Sequence, residues 1–399
     1  MPTTIAVTAG SILLAALILW GVGHAISRYC RITANINLLA IGIGLSAVIT
    51  VGGLLNALQL AYAPALWTMT ILGAVITTLE LRRVRFGAAS LRVMPVMVIA
   101  VALLITAAVL FTTMTQVPPR AFNHFDDLQK YFSYPVRMLA TGTLSGSPLN
   151  SLGHSMLGGL AFLQAFVLSL LPIQYISVVD GVFGLAVLLA ISAVIGWRMA
   201  PGSIMVFAIP LTILLIEPQS INTSSVYLPC ILMLTAFMLI KDHNSRASPI
   251  LLGVVYTSLV TIKATFALFV VVHFLLAFIA VFIAVRAWRQ SVFWVLRVVL
   301  GACAAVLPWL ITFRQEFMLW GVNPQTETLS GAGPLPNLLS TTPLYWGASY
   351  AAYSLIAAVC ALSAILCLRK AFDRSDENQN ILLAAFAAAA SGPFRFPHE

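Results

Sequence analysis

The sequence predicts an all-α, polytopic transmembrane bundle of about 11–13 spans, and three observations lead to it. The first is composition: of 399 residues, 60% are hydrophobic and only 8% charged, with a mean hydropathy of +0.99. An average soluble domain is about 25% charged. The second is length: apolar stretches close to the roughly 20 residues that a bilayer demands of a helix recur along the chain. The third is charge placement. Lys and Arg fall in short clusters between those stretches, as expected of cytoplasmic loops. Helices are the solution expected of such stretches, because each satisfies its own backbone groups away from water.

Taken in order, the first region (1–114) holds four spans, near 5–26, 36–58, 63–80 and 93–114. The segment starting near Ile5 has no basic region ahead of it and no cleavage site, so it reads as a retained helix. Arg28 and Arg31 follow the first span, and Arg82, Arg83, Arg85 and Arg92 follow the third. Both clusters belong in the cytoplasm, which puts the N-terminus and the 115–156 loop on the extracytoplasmic side. A transmembrane core (157–313) contributes spans near 175–197, 203–216, 224–240, 249–262, 264–285 and 291–313. The basic residues between them fit the cytoplasm only if 157–172 does not cross. Gly158-Gly159 and Pro172 bracket that short run, which reads as an interfacial or re-entrant helix. A long outer loop (314–345), rich in Gly, Pro and Asn, precedes the C-terminal region (346–399) and its span near 346–368. The run 381–390 starts like a further span, but ten residues are too few to cross, so a truncated or altered terminus is expected. No repeat of fixed period is visible.

The net charge of +9 follows from the inter-span clusters and does not point to nucleic acid. Cys30, Cys230, Cys303, Cys360 and Cys367 lie in or beside apolar spans without metal-type spacing, and read as small buried hydrophobes. Trp67, Trp294, Trp309, Trp320 and Trp346 sit near span ends, where aromatic belts form. Nucleotide-binding and hydrolase signatures (GxxxxGK[ST], GxSxG, HExxH) are absent. An activated donor is therefore expected to arrive already attached to lipid.

The densest polar chemistry lies in the 115–156 loop. Only 12 acidic residues exist in the chain, and Asp126 and Asp127 stand side by side there, followed by Lys130, Tyr131, Tyr134, Arg137 and His154. A carboxylate within hydrogen-bond reach of a hydroxyl can act as its general base. The second could orient an acceptor or bind a divalent cation, Mg or Mn, with His124 as a third ligand. The same pair ahead of 128–132 also suits a helix N-cap. Lys263, between two apolar runs, is either a point charge for a phosphate or a snorkelling side chain. Arg314 could clamp phosphate or anchor the interface, an ambiguity shared by Arg120 and Arg137. His154 reads as a loop polar residue or a ligand. Asp180 and His273, within spans, read as side chains satisfied by polar partners.

These residues resemble those of GT-C-type polytopic glycosyltransferases, over roughly 115–345. The resemblance rests on Asp126-Asp127 with Tyr131, on Tyr134-Pro135 and Leu139-Ala140-Thr141-Gly142, on Thr261-Ile262-Lys263, and on Pro308-Trp309 through Asn323-Pro324. Two features depart from the family pattern. About three extra spans precede the acidic loop, by the length criterion, and the tyrosine falls one position late. The resemblance implies transfer of a sugar from a polyprenyl-phosphate donor to a glycan, lipid or protein acceptor of the cell envelope. Asp126 or Asp127 would be the base, and Lys263, with Arg314, would stabilise the leaving phosphate. The high Ala, Leu and Val content fits a bacterial inner membrane, with membrane lipids as partners. Competing readings are a transporter or flippase, a polymerase or ligase of lipid-linked glycans, and a non-catalytic scaffold.

Overall fold

The computed structural model describes residues 2–32, 36–83, 131–145, 157–199, 225–241, 245–263, 266–285 and 287–312. The expected spans near 93–114, 203–216 and 346–368, and the 314–345 loop, lie outside these residues. The chain divides into two compact units, 1–144 with 152–312, and 145–151 with 313–399. All the helices below belong to the first.

Among the described residues there are ten α-helices and no strand. They are α1 (Pro2–Tyr29), α2 (Ile36–Ala57), α3 (Ala63–Arg83), α4 (Ser133–Thr141), α5 (Gly159–Leu168), α6 (Leu185–Met199), α7 (Tyr227–Lys241), α8 (Ser248–Ile262), α9 (Phe266–Val285) and α10 (Trp288–Thr312). A short 3₁₀ turn (Ile173–Tyr175) and a π-helical segment (Val178–Gly184) lead into α6. Five helices among the described residues are long and apolar enough to cross a membrane: α1, α2, α3, α9 and α10. The chain is thus a helical protein with the character of a membrane bundle. Helix α5, with ten residues, rises only about 15 Å and is too short to cross.

Direct contacts fix the helix directions. Gly23 of α1 meets Ala40 of α2, and Gly44 of α2 meets Leu19 of α1, so these helices run antiparallel. Gly21 meets Thr77, and Arg28 meets Glu80, so α1 and α3 run parallel. Helix α8 packs against α10 with Gly253 on Val298 and Gly301 on Ile250. Glycine at these crossings removes the side chain that would hold the two backbones apart. Small-residue interfaces of this kind are typical where lipid supplies no hydrophobic drive for helix pairing.

Three expectations change. Trp309 is fully buried between Gly53 and Gly158, and Trp294 is buried against Phe274, with ring centroids 6.0 Å apart. These two fill gaps between helices and do not belong to an interfacial belt. Trp67 is exposed, as a belt residue would be. Cys303 is exposed on α10 and Cys30 and Cys230 are half-buried, so the thiols are not uniformly buried packing groups. Cys360 and Cys367 lie outside the described residues.

Candidate functional site

One end of the bundle gathers segments that are far apart in sequence. Its anchor is Asn56, 1% exposed in the last turn of α2. The Asn56 amide donates to Gly52 O at 2.9 Å, while its Oδ1 accepts the Leu144 N–H at 3.1 Å. Thr143 Oγ1 donates to Asn56 O at 2.9 Å, and the Ala61 N–H donates to Gly142 O at 2.9 Å. The segment after α4 is therefore fastened to the turn between α2 and α3. Gly142 permits this by adopting φ +76° as the C-cap of α4; a Cβ there would meet Gln59 O and, at 2.6 Å, Tyr62.

The neighbouring elements continue from Leu144. A Cβ on Gly158, which has φ +100°, would meet Leu144 and Trp309. Gly159, opening α5, lies against Thr261, two residues before Lys263. Lys263 caps the C-terminus of α8 in an extended conformation and is half-buried. Its N–H donates to Leu259 O at 3.2 Å, and its carbonyl accepts from the Phe266 N–H at 3.1 Å, which makes the tight turn into α9. The ends of α2, α4, α8 and α10 and the start of α5 thus meet around Trp309 and Thr261.

Lys263 lies within electrostatic reach of Asp180. Asp180 is 4% exposed and accepts backbone N–H groups from Val226 (2.6 Å), Tyr227 (3.0 Å) and Leu228 (2.8 Å). A helix N-terminus carries donors with no partner inside the helix, together with the positive end of the dipole. Asp180 supplies a carboxylate to both, from a segment more than 40 residues away in sequence. Ser225, the local residue suited to the cap, is buried with its Oγ unpartnered among the described residues. Gly184 leaves room for this approach, since its Cβ would stand 3.1 Å from Tyr227 Cβ. Asp180 lies within the π-helical segment, and such segments often occur at functional positions.

The other candidates fall out as follows. Tyr131 is buried immediately before α4, and Arg137 is half-buried within it. Asp126, Asp127, Lys130, His124, Arg120, His154 and Arg314 lie outside the described residues, and the metal trio proposed from Asp126, Asp127 and His124 lies there with them. Among the described residues no three His, Cys, Asp or Glu side chains converge. His273 has the partner expected of it, with Nδ1 at 2.8 Å from the Tyr256 hydroxyl and its ring stacked on Phe269, though its surface is half-buried.

Two groups were not anticipated from the sequence. Asn56 sits in Gly-Gly-Leu-Leu-Asn-Ala, where a lone amide at a span end is unremarked; its only cue is that an amide near the apolar interior needs partners. Glu80, at the opposite end of the bundle, is 2% exposed. It accepts from Arg28 Nη2 at 2.7 Å and Nε at 3.2 Å and from Arg83 Nη1 at 3.0 Å, with His24 Nδ1 3.0 Å away. Its cue was an acid just ahead of an arginine pair at a helix end.

No protein-family model, no curated protein and no solved structure matches this chain.

Proposed function

We propose that this protein is an integral membrane glycosyltransferase that transfers a sugar from a polyprenyl-phosphate donor to a cell-envelope acceptor on the extracytoplasmic face. One observation carries the reading. Residues 142–144, inside the loop and downstream of its acidic pair, and 158–159, just beyond the loop, pack into the helix ends that carry Thr261-Ile262-Lys263 and Trp309. That juxtaposition supports a shared reaction face for the acidic pair and the lysine turn.

The chemistry needs few groups. Asp126 or Asp127 takes the proton of the acceptor hydroxyl as it attacks the anomeric carbon, and the C–O bond to phosphate breaks. The polyprenyl phosphate leaves with the electron pair. A phosphate leaving group needs little acid assistance, so a cation preorganised near it supplies most of what remains. Lys263 suits this role because it closes a helix end between two apolar helices and is half-buried, so its ammonium is partly shielded from water. Asp180 helps to hold that end of the bundle together and is assigned no proton transfer.

The test is transfer of radiolabelled sugar from a panel of polyprenyl-phosphate sugars in proteoliposomes, at matched protein. Loss of one general base lowers transfer by about 100- to 10,000-fold, so one of Asp126→Asn and Asp127→Asn is expected to fall in that range. Lys263→Ala is expected to lose about 100-fold or more. Wild-type rates in all three variants would end the assignment. Uptake or flipping of the lipid donor without transfer would favour the transporter reading.

A further inference from the structure

The end of the bundle opposite Asn56 carries a feature the proposed reaction does not use. Helices α1 and α3 run parallel and end side by side, and each end carries arginines: Arg28 in the last turn of α1 with Arg31 two residues beyond the helix, and Arg82 and Arg83 on α3. The acid described among them is Glu80. Four arginines and one carboxylate leave three positive charges in excess. Glu80 is buried and holds two of the guanidiniums in place, Arg28 through two nitrogens and Arg83 through one. Those side chains remain 52% and 57% exposed. Arg31 and Arg82 are exposed and make no ion pair among the described residues.

Two further observations bear on what this rim meets. Arg31 has φ +53°, in the left-handed region that favours glycine or asparagine at a helix C-terminus. Its backbone closes α1: the Arg31 N–H donates to Arg28 O at 3.1 Å, and the Ile32 N–H donates to Ser27 O at 3.0 Å. An arginine in this conformation keeps a long cationic side chain where glycine would fit with less strain. Below the rim, α1 and α3 present exposed apolar side chains, including Leu13 and Leu17 on α1 and Ile71, Leu72, Val75 and Leu79 on α3. Fixed cations above an exposed aliphatic face match one kind of molecule, with a phosphate at its head and hydrocarbon below.

We propose that the paired C-termini of α1 and α3 bind an anionic phospholipid, its phosphate on the rim of Arg28, Arg31, Arg82 and Arg83 and its acyl chains along the exposed faces of these helices. Glu80 acts as the positioning residue: it fixes the guanidiniums at the depth of the headgroup and prevents the cations from spreading apart. Basic pockets between spans recognise anionic headgroups in this manner.

The experiment uses the full chain, delipidated in a neutral detergent and followed by native mass spectrometry for retained lipid. Phosphatidylglycerol, phosphatidylcholine of the same acyl chains, and inorganic phosphate are the probes. Phosphatidylglycerol is expected to be retained in preference to phosphatidylcholine, and millimolar phosphate is expected not to displace it. Arg31→Gln with Arg82→Gln leaves the Glu80 network intact and is expected to lower retention about 25-fold, as about 1 kcal/mol per basic residue implies. Equal retention of the two lipids overturns the proposal, and that arm needs only the wild-type protein. Displacement by phosphate alone reduces the site to one for free anions and also overturns it. So does unchanged retention in the double variant. None of these readings depends on sugar transfer, so the proposal stands or falls apart from the proposed enzyme activity.

Discussion

Asp180 and Glu80 are buried acids in apolar helices, and the structure satisfies them in different ways. Asp180 meets three backbone N–H groups at the start of α7, while Glu80 meets two guanidiniums and an imidazole. The consequences differ. Asp180→Ala leaves several helix N-terminal donors without an acceptor, where hydrogen bonds to a charged group are worth about 1.5–3 kcal/mol, so a loss of about 2–3 kcal/mol is expected. Asp180→Asn keeps one acceptor oxygen and is expected to lose less, about 1 kcal/mol by the cost of a poor N-cap. Thermal unfolding in detergent checks both values. A normal melt for Asp180→Ala would remove the capping role. Glu80→Ala juxtaposes two arginines with no counter-charge; since both are half-exposed, the loss is expected near 1–2 kcal/mol and not the 3–5 of a fully buried pair. At this scale the sequence was only partly legible. An acid in an apolar run announces that it needs a partner, and that was readable for Asp180. It does not announce which partner, because the Val226–Leu228 backbone lies more than 40 residues downstream. Glu80 was not singled out in the sequence, because only its i,i+3 neighbour Arg83 is local and its other partners are on α1.

Elements were more legible than residues, because the bilayer length leaves its mark in the sequence. The spans expected near 36–58 and 264–285 correspond to α2 and α9 within two residues at each end, whereas the one expected near 249–262 is α8, a 15-residue helix shorter than a full crossing. The span expected near 175–197 begins instead with a π-helical segment, and nothing in its apolar composition signals the extra residue per turn. The short run at 157–172 was marked by its glycines and proline, and α5 is indeed too short to cross. Gly142 shows how a single residue governs such a join. It ends α4 with φ +76° while its carbonyl receives the Ala61 N–H, and its neighbours Thr143 and Leu144 bind Asn56. Alanine there costs about 1–2 kcal/mol for the left-handed backbone, and its Cβ would also press on Gln59 and Tyr62. Gly142→Ala is therefore expected to destabilise by at least about 2 kcal/mol, against about 0.5 for an exposed helix position. Limited proteolysis at increasing temperature, compared with wild type, would register the loosened segment. Equal resistance would mean that the Asn56 docking is not what fastens it.

For the whole molecule the question is which ends of the helices share a side of the membrane. The basic clusters divide the ends by charge, and the packing divides them by contact. Thr143, Gly158, Thr261 and Trp309 meet at one end, and Arg28 and Arg83 meet on Glu80 at the other. The two divisions coincide, although the first uses only loop composition and the second only side-chain packing. Residue 263 and residues 31 and 82 should therefore face opposite compartments. In a chain whose five native cysteines (Cys30, Cys230, Cys303, Cys360 and Cys367) are replaced, Lys263→Cys is expected to react with a membrane-impermeant maleimide added to sealed cells. Arg31→Cys and Arg82→Cys are expected to react only after permeabilisation. Labelling of all three from one side would show that the charge pattern and the packing had both been misassigned, and would remove the proposed reaction face with them. The reverse pattern would keep the bundle as described but turn it over. The acidic loop would then be expected to face the cytoplasm, where a soluble nucleotide-sugar would be within reach, and the proposed lipid-linked donor would lose its support.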